Sequence, residues 1–473
     1  LISKFTFSEK RNIQSQLVKG YLNLDYKDFK KKTLDEINET VQKRVGHYIN
    51  SINILFKFVG DFFMTALILI FLLNLNFIAF VVMITLVSIL FIFYNLGLSK
   101  NISKYGKEAT IASKKIFKTV YEGFNSFKEI KFLKKENFFF KEFLKAADIE
   151  YSNFIKLNFL NSLPRPIFEL LVIFALVIFV MMLPIIGVNE QKLITVLIAF
   201  GLSALRLIPS ITQLSKSFNA FKFNSFSVDS IYNDIILINK NEKETPIQIK
   251  EVNNFNEIKF KNIWFKFADS DNFLFENLNL NVLKGEKILI LGKSGSGKST
   301  LLDIISGLLN PSRGEIQIDK KNVSAKNVSE LRDMIAYVDQ DSFYLGENLD
   351  TNIALETTND LSLKDKDTLK RLKKIVSIDF ELKRNFENKN FQISGGQRQR
   401  VSIARSLYFN KQILIFDEST NSLDNKNEMD IINKILEFEK DKTIIFVSHN
   451  EKLIDFFESI YKFENKNMVK YEK

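Results

Sequence analysis

Four long apolar runs dominate the first half of this chain: Ile54 to Leu73, Phe77 to Leu98, Ile167 to Ile186, and Leu193 to about Ile211. As helices rising about 1.5 Å per residue, each is long enough to cross roughly 30 Å of hydrocarbon. Only Asn74, Leu75 and Asn76 part the first pair, and the short GVNEQK parts the second. Between the pairs lies a polar region with Lys100, Lys104, Lys107, Lys114, Lys115, Lys118, Lys128, Lys131, Lys134 and Lys135. Cytoplasmic loops carry the excess of Lys and Arg, so this region and the opening segment are expected inside, and the two short turns outside. Whatever follows the fourth run then lies in the cytoplasm.

The 473 residues carry a net charge of +11, which could point to nucleic acid. Most of the excess in the first half flanks the apolar runs, the distribution expected for membrane topology and contact with anionic lipid headgroups, so a nucleic-acid partner is not expected. With no cysteine in the chain, disulfides, thiol catalysis and Cys-based metal sites are excluded. The chain opens on Leu1 in a polar, amphipathic region, so an interior start without a signal peptide is expected.

Helical periodicity persists through the cytoplasmic stretches, so residues 1–238 are expected to form a helical membrane domain. NKNEKETPIQIKEVNN, residues 239–254, is charged, lacks apolar periodicity and reads as a linker. From residue 255 to 473 the texture is that of a soluble α/β domain. Leu278, Leu280 and Val282 alternate as in a half-buried strand, and the buried-type strand KILIL follows.

That strand runs into GKSGSGKST and then the helical LLDIISGLL. The stretch fits G-x-x-x-x-G-K-[ST], in which backbone N–H groups wrap phosphates at a helix N-terminus. Gly292, Ser294, Gly295, Gly297 and Thr300 would build the loop, Lys298 would reach the β- and γ-phosphates, and Ser299 would hold Mg²⁺. Further motifs follow in order. Gln340 ends the strand of IAYVDQ and can reach Mg²⁺ and the attacking water. ISGGQRQR begins at Ile393, and Ser394, Gly395 and Gly396 can present donors to a phosphate at a helix start. ILIF runs into Asp417, which can organise Mg²⁺, and Glu418, placed as a base for water attacking the γ-phosphate. SLD ends at Asp424, and TIIFVSHN puts His449 just past another strand, where an imidazole can bond the γ-phosphate.

In this order the motifs resemble the ABC transporter ATPase domain across residues 255–473, as Walker A, Q-loop, signature, Walker B, D-loop and H-loop. The resemblance implies ATP and Mg²⁺ as cofactors and a head-to-tail homodimer, with ATP between Walker A of one copy and Ser394, Gly395, Gly396, Gln397 and Asp424 of the other. It implies that Phe267, where the family usually has tyrosine, stacks on adenine. Ile393 replaces the usual signature leucine, and the acidic residue expected before the signature falls near Glu387 or Asn388.

The four runs, extended cytoplasmic helices and C-terminal ATPase resemble an ABC exporter half-transporter, an α-helical transmembrane domain fused to an α/β P-loop ATPase. That domain normally has six spans, so the chain is expected to be an N-terminally incomplete piece. YLNLDYKDFKKKT, GFNSFKEIKFLKKENFF and SLPRPIFELL with ALRLIPSI are similar to the bacterial lipid-linked-oligosaccharide flippases of the PglK type. This resemblance implies a multi-pass protein of the bacterial cytoplasmic membrane, hydrolysing ATP to move a polyprenyl-pyrophosphate glycolipid. Export of another lipid, a polysaccharide, a peptide or a drug, and a non-transporting ABC ATPase or regulator, are the alternatives.

Arg206 bears on the cargo. It lies thirteen residues past Leu193, about 20 Å along a helix and so in the cytoplasmic half of the membrane. A guanidinium there costs at least about 2.5 kcal/mol unless it faces a cavity or a partner. Ser203, Arg206, Ser210, Gln213 and Ser217 recur at helical spacing and are expected on one face. Arg165, entering the preceding span, adds a second fixed charge. Both arginines are candidate contacts for a phosphate-bearing headgroup, which suits bidentate guanidinium. An ion pair of Arg206 with Glu169, or snorkelling to the interface, are the structural alternatives.

Overall fold

The computed structural model of the protein describes residues 2–75, 77–93, 99–186, 190–242, 255–267, 270–293, 295–324, 328–345, 348–357, 359–380, 393–464 and 466–471. Ser294, Glu387, Asn388 and residues 243–254 of the expected linker lie outside these. The chain divides into a helical unit, residues 1–24 and 32–240, and a second unit, residues 25–31 and 241–473.

In the helical unit, α1 (Ile2–Leu22) is followed, after the excursion to the second unit that contains α2 (Tyr26–Phe29), by α3 (Leu34–Glu39) and a π-helical turn, Thr40–Arg44. Then come α4 (Val45–Leu75), α5 (Phe77–Phe93), α6 (Ser99–Asn125), α7 (Phe127–Leu133), α8 (Glu136–Ser162), α9 (Pro164–Ile186) and α10 (Glu190–Glu242). The described residues of the four apolar runs thus fall on α4, α5, α9 and α10. Among the described residues, three helical stretches are long and apolar enough to cross a membrane: Leu34–Leu75, Glu136–Phe174 and Leu197–Phe221. The described part of the second run, α5, is 17 residues long.

The lysine-rich region folds into an antiparallel pair. Lys156 sits over the Tyr105 ring, Lys115 pairs with Glu142 at 3.2 Å, and Gly123 faces Phe139, so the α8 partner moves down as the α6 position moves up. Short α7 closes the pair, with Lys134 in left-handed conformation at its end (φ 52°). Leu72 of α4, Met83 of α5, Phe168 of α9 and Phe200 and Leu207 of α10 form one buried cluster. Around it, Phe63, Leu67, Leu170, Phe174, Ile198 and Leu202 are exposed. Helices apolar on their outer faces as well as their inner ones belong in lipid, where intrahelical hydrogen bonds satisfy the backbone.

The second unit holds two sheets. β1 (Glu257–Phe265), β2 (Phe275–Leu283), β4 (Arg313–Ile318) and β5 (Lys321–Asn322) are antiparallel, in the order β2-β1-β4-β5. The larger sheet, in the order β10-β9-β3-β8-β7-β6, contains β3 (Lys287–Gly292), β6 (Ile335–Val338), β7 (Ile413–Asp417), β8 (Thr443–Ser448), β9 (Ser459–Glu464) and β10 (Asn467–Tyr471). Its strands are parallel except β10, which pairs antiparallel with β9 at the edge. β7 and β8 are buried along their whole length, as parallel strands covered on both faces must be. The helices are α11 (Lys298–Ile305), α12 (Val328–Asp333), α13 (Leu349–Ala354), α14 (Leu363–Ile375), α15 (Gly395–Tyr408) and α16 (Asn425–Phe438). Register sets the functional edge: Leu291 lies beside Ser448 and Asp417 beside Val447, so β3, β7 and β8 end side by side.

Candidate functional site

The carboxyl ends of parallel strands are where an open α/β sheet takes its ligands, and here they gather most of the expected residues. β3 ends on Gly292, and the loop turns through Gly295 and Gly297 into α11. Gly297 has φ 101°, and a Cβ on it would stand 3.1 Å from Phe275 Cε1, so only glycine fits. Lys298, 5% exposed, folds back under the loop and donates to the carbonyls of Gly292 at 2.8 Å and Lys293 at 2.9 Å. It also pairs with Glu418 Oε1 at 3.1 Å. Ser299 and Thr300 lie on the first turn of α11.

Asp417 closes β7 and is buried, at 2% exposed. Its Oδ2 accepts a hydrogen bond from Tyr337 at 3.0 Å, while the buried Oδ1 has no hydrogen-bond partner among the described residues. Burial pushes this carboxyl above its ordinary range, and the Ser299 and Tyr337 hydroxyls act the other way. A buried carboxylate oxygen left open beside a serine hydroxyl fits a hard cation that completes its shell with phosphate and water. Glu418 follows in left-handed conformation, φ 45°, an uncommon state for a side chain of its size. Its Oε2 accepts from Asn421 at 2.9 Å and from Gln340 at 3.3 Å. Lys298, Glu418 and Gln340 therefore meet, with Asp417 and Ser299 adjoining. His449 is exposed, one residue beyond β8.

The signature residues form a second group. Ser394 caps α15: its hydroxyl accepts from Gln397 N at 3.2 Å, and Gln397 Oε1 accepts from Ser394 N at 3.0 Å, a reciprocal capping box. Gly395 and Gly396 let the helix start close against Ser422 and Leu423, where added Cβ atoms would meet Ser422 Oγ and Leu423 Cδ2, each at 3.1 Å. Ser422 N also donates to Gln399 Oε1 at 3.0 Å, and Asp424 opens α16. Among the described residues, no hydrogen bond or ion pair joins this group to residues 292–300. Phe267 stands apart just past β1, exposed and edge-on to Phe265 at 5.2 Å between centroids.

Several supporting residues escaped the sequence reading. Tyr337 reaches Asp417 because β6 lies beside β7. Glu428, buried on α16, accepts from Thr420 at 2.7 Å and Asn450 at 2.8 Å, tying the turn after Glu418 to the one after His449. The signal was present: Glu428 falls at the spacing of Ile431, Ile432 and Ile435, a charge on an otherwise apolar face.

In the helical unit the expected polar face of α10 divides. Ser203, Ser210 and Ser217 are buried, whereas Arg206, about 60° around the helix from Ser203 at 3.6 residues per turn, is exposed. Glu169 pairs with Arg165 at 2.9 Å, one turn away on α9, and not with Arg206. Arg206 and Ser203 line a cleft of about 560 Å³ with Met64, Leu67 and Phe71 of α4 and Leu202 of α10. Arg165 is not part of its lining.

Two family profiles match the chain: ABC transporter transmembrane region at residues 9–207, and ABC transporter at residues 275–421. The energy-coupling factor transporter ATP-binding protein EcfA1 of Mycoplasmopsis synoviae (strain 53) is 36% identical over 200 residues, which cover 41% of this chain and 74% of that protein. This chain belongs to the ABC transporter family. The chain is also 32% identical over 262 residues to the alpha-hemolysin translocation ATP-binding protein HlyB of Escherichia coli O157:H7, matching 54% of this chain and 36% of HlyB. It thus spans little over a third of the length of that relative. A solved structure of a bacterial Atm1-family ABC exporter with ATP bound superposes with a TM-score of 0.80 at 19% identity, covering 99% of this chain and 83% of that one. That likeness shows the fold: the chain has the ABC exporter fold, a helical transmembrane region and a nucleotide-binding domain in one chain.

Proposed function

We propose that the protein is an ATP-driven exporter of the bacterial cytoplasmic membrane that works as a homodimer and flips an anionic lipid. A polyprenyl-pyrophosphate-linked oligosaccharide is the cargo that best fits. The observation that carries the cargo reading is the cleft between α4 and α10, whose described lining is apolar except for Thr195, Ser203 and Arg206. Among the described residues no acid pairs with Arg206, so its guanidinium is available to a phosphate. The alkyl tail can stay in lipid, and only the charged head needs the cleft. HlyB, by its name, translocates alpha-hemolysin. A protein substrate would not call for one isolated arginine in an apolar groove.

At the ATP site, Lys298 would exchange the carbonyls of Gly292 and Lys293 for the β- and γ-phosphates, releasing Glu418. Gln340 and Asn421 then keep that carboxylate oriented toward water at the γ-phosphate. Asp417, Ser299 and Gln340 would hold Mg²⁺, which supplies neutralisation of phosphate charge. Ser394 to Gln397 and Asp424, on the second copy, would close over the nucleotide.

The test reconstitutes the full-length protein in liposomes and compares a lipid-linked oligosaccharide, lipid A and a hydrophobic dye, with Glu418→Gln as the inactive control. ATP-dependent movement of the oligosaccharide lipid, absent in the control, is expected. Movement of the dye or lipid A alone would overturn the cargo reading.

A further inference from the structure

Residues 25–31 leave the helical unit and fold with the ATPase unit. There, Tyr26 packs against the core, and Lys30 pairs at 3.1 Å with Asp303 on α11, the helix that begins at Lys298. The two flanks of this excursion, both in the helical unit, meet on one side chain. Asp234 of α10, 5% exposed, accepts a hydrogen bond from Tyr21 on Oδ2 and one from Lys32 on Oδ1, each at 2.6 Å. Tyr21 is the penultimate residue of α1, and Lys32 is the first residue after the excursion. Burial and the neighbouring Asp234 push the Tyr21 phenol upward, so it stays a donor.

The surroundings are closely packed. A Cβ on Gly20 would lie 2.4 Å from Ile238 Cγ2, so α1 and α10 touch directly one turn away. Arg44 donates to Ser230, one turn before Asp234. Leu17, Val45 and Ile231 are buried in the same cluster. Lys30, Lys31 and Lys32 look in the sequence like a solvated basic run, yet Lys31 pairs with Asp28, and its neighbours pair with one buried acid in each unit.

We propose that Asp234 is the positioning residue through which ATPase movement reaches the membrane helices. By holding Tyr21 and Lys32 on one carboxylate it closes the chain around the 25–31 excursion into a loop without slack. A displacement of that loop is then passed to α10 and not absorbed by free chain on either side. This rests on the reading of the protein as an ATP-driven exporter.

The test uses full-length protein in proteoliposomes. Asp234→Asn and Lys32→Met should lower lipid moved per ATP hydrolysed by about tenfold, while basal ATPase stays within about twofold. Lys32→Arg should retain coupling, and the exchange Lys32→Asp with Asp234→Lys should restore part of it. Unchanged transport per ATP in Asp234→Asn would overturn the proposal. So would a parallel loss of ATPase and of global protection, which marks a merely structural residue. Hydrogen exchange of residues 231–240 with and without ATP provides a readout free of cargo. An ATP-dependent change in the natural protein that disappears in Asp234→Asn supports the proposal, and the same change in both contradicts it. If the natural protein moves no anionic lipid, the cargo reading fails and this exchange measurement still decides the clamp.

Discussion

Among the described residues Asp417 is held through one oxygen and has no hydrogen-bond partner on the other, an asymmetry that suits a cation at the proposed ATP site. Tyr337 fixes Oδ2, leaving Oδ1 as the buried acceptor beside Ser299. Partners of metal-binding carboxylates are worth about 10- to 100-fold in metal affinity or activity when removed. Tyr337→Phe should therefore raise the Mg²⁺ concentration for half-maximal ATPase by about tenfold while the fold persists, measured by titrating Mg²⁺ at saturating ATP. An unchanged Mg²⁺ requirement would remove Tyr337 from the site. The ordered motifs picked out Lys298, Gln340, Asp417 and Glu418 from the chain alone, and the structure brings them together: Asp417 closes β7 with Glu418 next to it, Lys298 opens α11, and Gln340 follows β6. Tyr337 and Asn421 were not legible, because their roles depend on β6 lying beside β7 and on the left-handed turn at Glu418. Neither fact is written in local spacing.

The parallel sheet keeps these strand ends aligned, and a lysine fastens it from behind. Lys287, at the start of β3, is 8% exposed and donates to the carbonyls of Glu439 at 2.9 Å, Lys440 at 3.1 Å and Lys442, where α16 ends and turns toward β8. Burial pulls its ammonium below the ordinary lysine range. Lys287→Met would leave those carbonyls buried without a donor, a cost of about 1–3 kcal/mol. The expected result is a lower denaturant midpoint for the ATPase unit, with an unchanged nucleotide affinity in the folded protein. The elements themselves were largely readable: KILIL, ILIF and TIIFV became β3, β7 and β8, and the described residues of all four apolar runs fell on helices. Less was readable in α10. It continues through Pro209 and on through Asn239 to Glu242, into the segment expected as a linker, because a run of polar residues gives no apolar periodicity to mark where the helix ends. The same helix buries its serines and exposes Arg206, a distinction set by which neighbours pack on it.

At the scale of the whole molecule, the ATPase unit presents two groups, one around Gly292 to Thr300 with Asp417 and Glu418, the other at Ser394 to Gln397 with Asp424. Among the described residues the second has donors and a helix start but no phosphate-binding loop of its own, which favours the proposed homodimer in which each copy completes the other. Such a motor has a purpose only if the helical unit offers cargo a place to bind, and the α4–α10 cleft with its single arginine is that place in this account. The most direct measurement is transport and ATPase of Arg206→Ala beside the unsubstituted protein, in the same liposomes and with the same lipid-linked oligosaccharide. Losing a charge-assisted contact of about 1.5–3 kcal/mol should raise the lipid concentration for half-maximal transport by about ten- to a hundredfold. Basal ATPase should stay within about twofold, since the cleft holds none of the ATP-site residues. Transport by Arg206→Ala at the unsubstituted rate and concentration dependence would contradict the account.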